Sequence, residues 1–245
     1  MSMRNVLTDV ARVGPFFAVS ADPAEGVDPT WRPLAELGTS SALAARVDHV
    51  GRVLSEQAGA PVAERVAASI AVQGLAARFL SAPLAAAALH GVLPGLDPAT
   101  LHWRVSMTGP WPLWSADPER VRPAAGLPAL VAEIAEPLVE AAAALVPVSR
   151  KVLWGNVGSS VAGAERVLAG DRPPAALRTA ELAAAVLDHP LLAATGMRRP
   201  PAPPDTGWTF RRRSCCLYYR IPGGGTCGDC VLGGRVPGGR ALSPG

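Results

Sequence analysis

Every cysteine of the chain lies near its C-terminal end, Cys215, Cys216, Cys227 and Cys230, in the spacing C-C-x10-C-x2-C. Thiols gathered this way act together, so this stretch must close on itself. Three chemistries fit such a quartet. Four thiolates can hold tetrahedral zinc or an iron–sulfur cluster, with Cys227 and Cys230 forming a CxxC knuckle. Structural disulfides are disfavoured, because a bridge between adjacent cysteines is strained and no secretory leader is evident. A thioredoxin-like redox pair needs a helix after its CxxC, and Gly233 and Gly234 follow too soon.

Between the two metals the spacing leans to iron. Zinc knuckles separate the ligands of a pair by two to four residues. The directly adjacent Cys215-Cys216 pair departs from that, and is easier to place when two metal atoms share four ligands.

The flanks carry a further signal. Arg212-Arg213-Ser214-Cys215-Cys216-Leu217-Tyr218-Tyr219-Arg220, the loop Pro222 to Gly225, and Cys227-Gly228-Asp229-Cys230 resemble the C-terminal motif of the FhuF-like ferric-siderophore reductases. Leu153-Trp154-Gly155-Asn156 looks like an upstream element of the same family. The resemblance implies a 2Fe–2S cluster on Cys215, Cys216, Cys227 and Cys230, and reduction of iron carried by a siderophore. A cluster of that kind is anionic, and Arg211, Arg212, Arg213 and Arg220 can offset its charge, or stand as a solvated basic surface. Gly223, Gly225 and Gly228 match G-x-G-x-x-G, but no helix follows and Pro222 interrupts the approach, so no dinucleotide site is read there.

Before this segment the chain has a helical texture. Hydrophobic residues make up 49% but aromatics only 5%, with four phenylalanines, too little bulk for a large sheet. The expected fold is mainly α: a helical body with a short β-hairpin or small sheet, and a C-terminal cysteine-rich iron–sulfur module. The expected division is a body over 1–197, a Pro-rich linker over 198–207, the cluster module over 208–234 and a tail over 235–245.

Thr39 to Gln57 reads as a helix capped by Thr39 or Ser40, with Leu43, Val47, Val50 and Leu54 in one stripe. Pro61 is expected to start the next helix, to about Leu80, and Pro83 a separate one to His90. His90 suits a helix C-terminus. Leu101 to Met107 is the best strand candidate, with Thr108 to Trp114 bending back. His102, Trp103, Arg104, Trp111 and Trp114 are candidates for a siderophore surface, though core packing explains tryptophans more often. Pro137 should kink or split a helix over Leu127 to Leu145. Glu133, Glu136 and Glu140 read as a solvated face. Ser149 to Ala169 is a helix rich in small residues, and the expectation is that it packs on the cysteine module with Trp154 or Asn156 near the cluster. Pro173 and Pro174 introduce a last helix to Leu187.

The net charge is +3 and the basic residues are scattered outside the arginine run, which is no nucleic-acid signature. MSMRNVLTDVARVG lacks the apolar segment of a secretory signal. The apolar stretch from Val66 to Leu93 is broken by Gln73, Arg78 and His90, which favours buried helices over a membrane span. The expected location is cytoplasmic, and peripheral membrane association stays compatible with it. No flavin or nicotinamide site is visible, so an external electron donor such as a ferredoxin or flavin reductase is implied. The competing function is a non-enzymatic, zinc-stabilised helical binding protein. A helical domain of the siderophore-synthetase kind lacks both a nucleotide site here and this cysteine set there.

Overall fold

The computed structural model describes residues 1–38, 41–201 and 207–233. Its helices are α1 (Met3–Ala11), α2 (Ala42–Ala58), α3 (Glu64–His90), α4 (Glu136–Leu145), α5 (Arg150–Asp171) and α6 (Ala176–Leu187). Its strands are short: β1 (Arg32–Pro33), β2 (Val92–Leu93), β3 (Leu101–Trp103), β4 (Leu113–Ser115), β5 (Arg122–Pro123), β6 (Gly196–Arg199) and β7 (Thr209–Arg212). The fold is mainly α with small sheets and the cysteines at its C-terminal end, as the composition led us to expect.

α3 is the axis of the core, and α5 packs along it more extensively than any other element. By length and composition α3 could cross a bilayer, yet 78% of its most apolar window is buried inside the protein. Here the core surrounds the helix where lipid would surround a membrane span. That burial also explains a difference from the expected pattern. Pro83 does not divide two helices, because α3 runs through it unbroken. A break there would strand unpaired backbone groups in the core, and packing offsets the proline. Pro61 does not start the helix either. Val62 donates its backbone N–H to Ser55 Oγ at 2.9 Å, which holds the connection extended until Glu64.

The stripe on α2 is buried at Leu43, Val47 and Leu54, and Gly59 ends the helix in the left-handed conformation. The proposed cap at Thr39 or Ser40 lies outside the described residues. β1, β3 and β4 form one antiparallel sheet, with His102 opposite Trp114. The helix expected over Leu127 to Leu145 is split at Pro137: a π-helical turn covers Val131–Ala135 and α4 follows with the proline in its first turn. Glu133 pairs with Arg122 and Glu140 with Arg150, as surface carboxylates do. His90 meets Asp9 Oδ2 at 3.1 Å and so ties the end of α3 to α1.

The expected linker over 198–207 needs correcting at its start. Arg198 and Arg199 belong to β6, which pairs antiparallel with β7 in the register Gly196↔Arg212 to Arg199↔Thr209. The physical reason is Phe210, which is buried against Gly196 and Gly158. Burying that ring fastens the hairpin to the body. Residues 202–206 and the tail over 235–245 lie outside the described residues.

Candidate metal centre

α5 prepares the site. Ser149 caps it by accepting the Lys151 N–H. Gly155 and Gly158 lie on the side facing β7. A Cβ on Gly158 would stand 2.8 Å from Thr195 Oγ1 and 3.1 Å from the Phe210 ring, and one on Gly155 would collide with Ser214 Oγ and stand 3.0 Å from Arg212 Nη2. Glycine in a helix interior costs about 1 kcal/mol relative to alanine. At these two positions the return is the close seat of the strand that leads into the cysteines.

Asn156, fully buried on the next position, ties three parts together. Its amide donates to Ser69 O at 2.7 Å and Ser69 Oγ at 2.8 Å, and its Oδ1 accepts from Arg212 Nη2 at 2.5 Å. Ser69 in turn donates its hydroxyl to the carbonyl of Cys216 at 2.8 Å. α3, α5 and the cysteine segment thus share one polar network. Of the two residues expected near the centre, Asn156 takes that place. Trp154 is half-buried and packs on the main core.

The cysteine segment is a series of tight turns. Leu217, just after Cys216, has φ of 69°, unusual for a residue with a side chain. This turn sends the Leu217 N–H to Cys215 Sγ at 3.3 Å. Across the segment the Leu232 N–H donates to Cys230 Sγ at 3.3 Å. Gly223 and Gly225 have φ of 75° and 69°, and a side chain on Gly224 would press on the Tyr218 carbonyl at 2.7 Å. The loop between the two cysteine pairs therefore needs its glycines. The backbone of Arg212 donates to Asp229 O at 3.0 Å, which fixes the CxxC turn to β7.

All four cysteines are free thiols; Cys216 and Cys230 are buried and the other two half-buried. Cys216 Sγ and Cys227 Sγ stand 3.7 Å apart. Two sulfurs on one tetrahedral metal, with bonds of about 2.3 Å, are about 3.8 Å apart. The close pair is thus drawn from both halves of the motif, one cysteine from Cys215-Cys216 and one from the CxxC. Among the described residues no three His, Cys, Asp or Glu side chains converge on a single ion position. Hydrogen bonding with Cys215 and Cys227 holds the Cys216 thiol well below its ordinary value, helped by the Tyr218 N–H and the Arg212 cation and opposed by burial. Cys215 and Cys227 are pushed up, first by their bonds to Cys216 and then by burial.

Arg212 is the arginine that matters here. It is 1% exposed and takes part in no salt bridge among the described residues. Nε donates to Ser214 O at 3.0 Å, and Nη1 is buried without a hydrogen-bond partner among the described residues. A buried cation without a counter-charge is costly, and the thiols of Cys216 and Cys227 both feel this one. An anionic cluster bound by the cysteines fits that vacancy of charge. So do the donor set, soft sulfur throughout, and the N–H groups aimed at sulfur. Arg213 is exposed, Arg220 stacks on Tyr219, and Arg211 donates to the Val231 carbonyl. Those three are surface or scaffold residues.

The five candidates for a siderophore surface separate. Trp103 and Trp111 are buried and stacked, ring centroids 4.7 Å apart. Trp114 packs against His102 and Trp31, while Arg104 covers Trp31 and pairs with Asp28 at 2.7 Å. None of the five lines the cavity that reaches the cysteines. That cavity, of 740 Å³, lies between α3 and α5 with Cys216 and Cys227 in its wall. The sequence reading missed it. Its one visible signal was a glycine in each helix, Gly74 and Gly163.

Residues 212–232 match the family model of the FhuF 2Fe-2S C-terminal domain. No curated protein matches the chain. The match covers the cysteine segment from Arg212 onward and none of the helical body. It agrees with the resemblance carried by the cysteine motif, and it names the cofactor of this segment, a 2Fe–2S cluster. What the match shows is a segment like the FhuF 2Fe-2S C-terminal domain, at residues 212–232.

Proposed function

We propose that this protein is a cytoplasmic ferric-siderophore reductase, with Cys215, Cys216, Cys227 and Cys230 as the ligands of its cluster. When bound, a 2Fe–2S cluster supplies one electron at a time. The substrate is ferric iron held by hard oxygen donors. Gaining one electron turns it into a softer, less charged ion that such donors hold weakly, and iron leaves as Fe(II). No acid, base or nucleophile is required of the chain. The electron comes from outside, from a donor of the ferredoxin or flavin-reductase class.

The work of the residues is to hold and to tune. Arg212 places a fixed positive charge beside Cys216 and Cys227, which favours the reduced, more negative state. The N–H groups of Leu217 and Leu232 act in the same direction at Cys215 and Cys230. Asn156 and Ser69 keep Arg212 and the Cys216 backbone in place, so that little needs to move when charge changes.

The observation that carries this reading is the buried Arg212, which meets no carboxylate among the described residues and has Nη1 unbonded, among four free thiols in a segment matching a 2Fe-2S domain. The purified protein should be reddish-brown, bleach with dithionite, and give an electron paramagnetic resonance signal when reduced. Ferric chelates should reoxidise it one electron per iron. Cys227→Ser should lose both signal and turnover. A colourless protein carrying one zinc per chain would overturn the proposal.

A further inference from the structure

We propose that the 740 Å³ cavity between α3 and α5 is the binding site for the ferric chelate, and that the chelate's iron is presented to the Cys216–Cys227 side of the centre. This rests on the reductase reading and gives it a substrate site. The cavity is of the size usual for small-molecule sites, roughly 300–1,000 Å³. Two cluster cysteines share its wall with Phe16, Phe17, Gln73 and Arg166. An electron would therefore cross from sulfur to substrate without passing through intervening protein.

The glycines give an independent argument. Gly74 on α3 and Gly163 on α5 both line the cavity. Neither has a positive φ, and a Cβ on either would meet nothing within 4 Å. Backbone shape does not demand glycine there, and neither does a close neighbour. This sets them apart from Gly155 and Gly158 of α5, which are packed against neighbours. What glycine secures at 74 and 163 is open space, on both walls at once, at a cost in helix stability. A third observation concerns Ser159. It is buried, lines the cavity and has an Oγ with no hydrogen-bond partner among the described residues.

The lining also selects the ligand. Its walls are mostly apolar, and its cation, Arg166, is engaged with Asp229 at 3.0 Å. Arg78 of α3 lies outside the lining and donates to the carbonyls of Phe16, Ala18 and Trp111, and so helps to fix the segment that carries Phe16 and Phe17. Among the described residues the lining offers no other cation to a strongly anionic complex. The cavity fits a ferric chelate with an apolar periphery and little net charge.

The test separates binding from reduction. Gallium(III) chelates have the shape and charge of the ferric ones and accept no electron. Calorimetry on the cluster-loaded protein should show binding of an uncharged gallium chelate and much weaker binding of a trianionic one. Gly74→Leu and Gly163→Leu, on opposite walls, should each weaken binding by about 10- to 100-fold with the visible spectrum unchanged. Hydrogen exchange on the unaltered protein gives the same answer without a variant: protection on adding the gallium chelate should appear over residues 70–77 and 159–167. Protection over the Trp31–Trp114 face instead, or leucine variants that bind and turn over normally, would overturn the site. Binding in the cavity with no reduction of the ferric chelate would leave the site standing and remove the reductase reading. A flavin or quinone that occupies the cavity in place of the chelate would overturn it as well.

Discussion

α5 shows two uses of the same residue within one helix. In its first half Gly155 and Gly158 are filled from outside, by Ser214, Arg212, Thr195 and Phe210. Farther along, Gly163 faces open space, with Gly74 of α3 on the cavity's other wall. The first pair exists so that a strand can come close. The second exists so that nothing does. A glycine thus means little until its neighbour is known, and the same sequence signal marks a docking seat at one place and a chamber at another.

The contrast can be broken most severely at the seat. Gly155→Val should push Ser214 and Arg212 off α5 and cost about 3 kcal/mol, within the range for overfilling a packed site. Cluster content per chain, read from visible absorption, should fall to near zero, while far-ultraviolet circular dichroism of the helical body stays close to normal. A fully loaded Gly155→Val protein would show that the seat is not what positions the cysteines.

Next in size comes the charge that the seat delivers. Arg212→Met should lower the midpoint potential of the loaded protein by on the order of 100 mV, the effect of a unit charge several ångströms away at an effective dielectric near 20. Arg213→Met, at an exposed position, should change it far less. Redox titration followed by electron paramagnetic resonance measures both. Equal shifts would mean that the general basic surface tunes the centre and not the buried guanidinium.

The chamber glycines should respond in the opposite direction. Gly74→Ala and Gly163→Ala each add a methyl into vacant space and should raise stability by up to about 1 kcal/mol, seen as a higher Tm. A loss of stability at either would mean the space is closed in solution.

The smallest effect lies beside the chamber. Burial pushes the Glu165 carboxyl up from its ordinary value, with Arg166 opposing. A carboxyl raised in the folded state favours folding most while protonated, and that contribution is lost as pH rises through the folded value. Glu165→Gln should therefore stabilise the protein slightly at pH 7, with the advantage vanishing in acid below the ordinary carboxylate range. Thermal melts at the two pH values test the sign.

Much was readable before any coordinates. The cysteine spacing pointed to one centre and left zinc and iron both open, because metal ligation is a property of residue type and local turns; it was the resemblance of the flanks to a known motif that implied a 2Fe–2S cluster. The stripe Leu43, Val47 and Leu54 placed α2, and the scarcity of bulky aromatic residues excluded a large sheet. What the chain could not announce was anything that depends on long-range neighbours. Pro83 looked like a boundary, because local rules treat proline as a break; burial on all sides kept the helix whole. Trp103 and Trp111 could have served a ligand surface, with core packing the favoured reading, and only the fold showed them stacked in the core. Residues 198–199 looked like linker until Phe210 fastened their partner strand to α5. Of four arginines with equal claim, only the fold singled out Arg212, by removing its water and leaving it no carboxylate. The identity of the donor atoms is written in the sequence; the burial that gives them a charge partner, and the space left open beside them, arise only when α3 and α5 pack together.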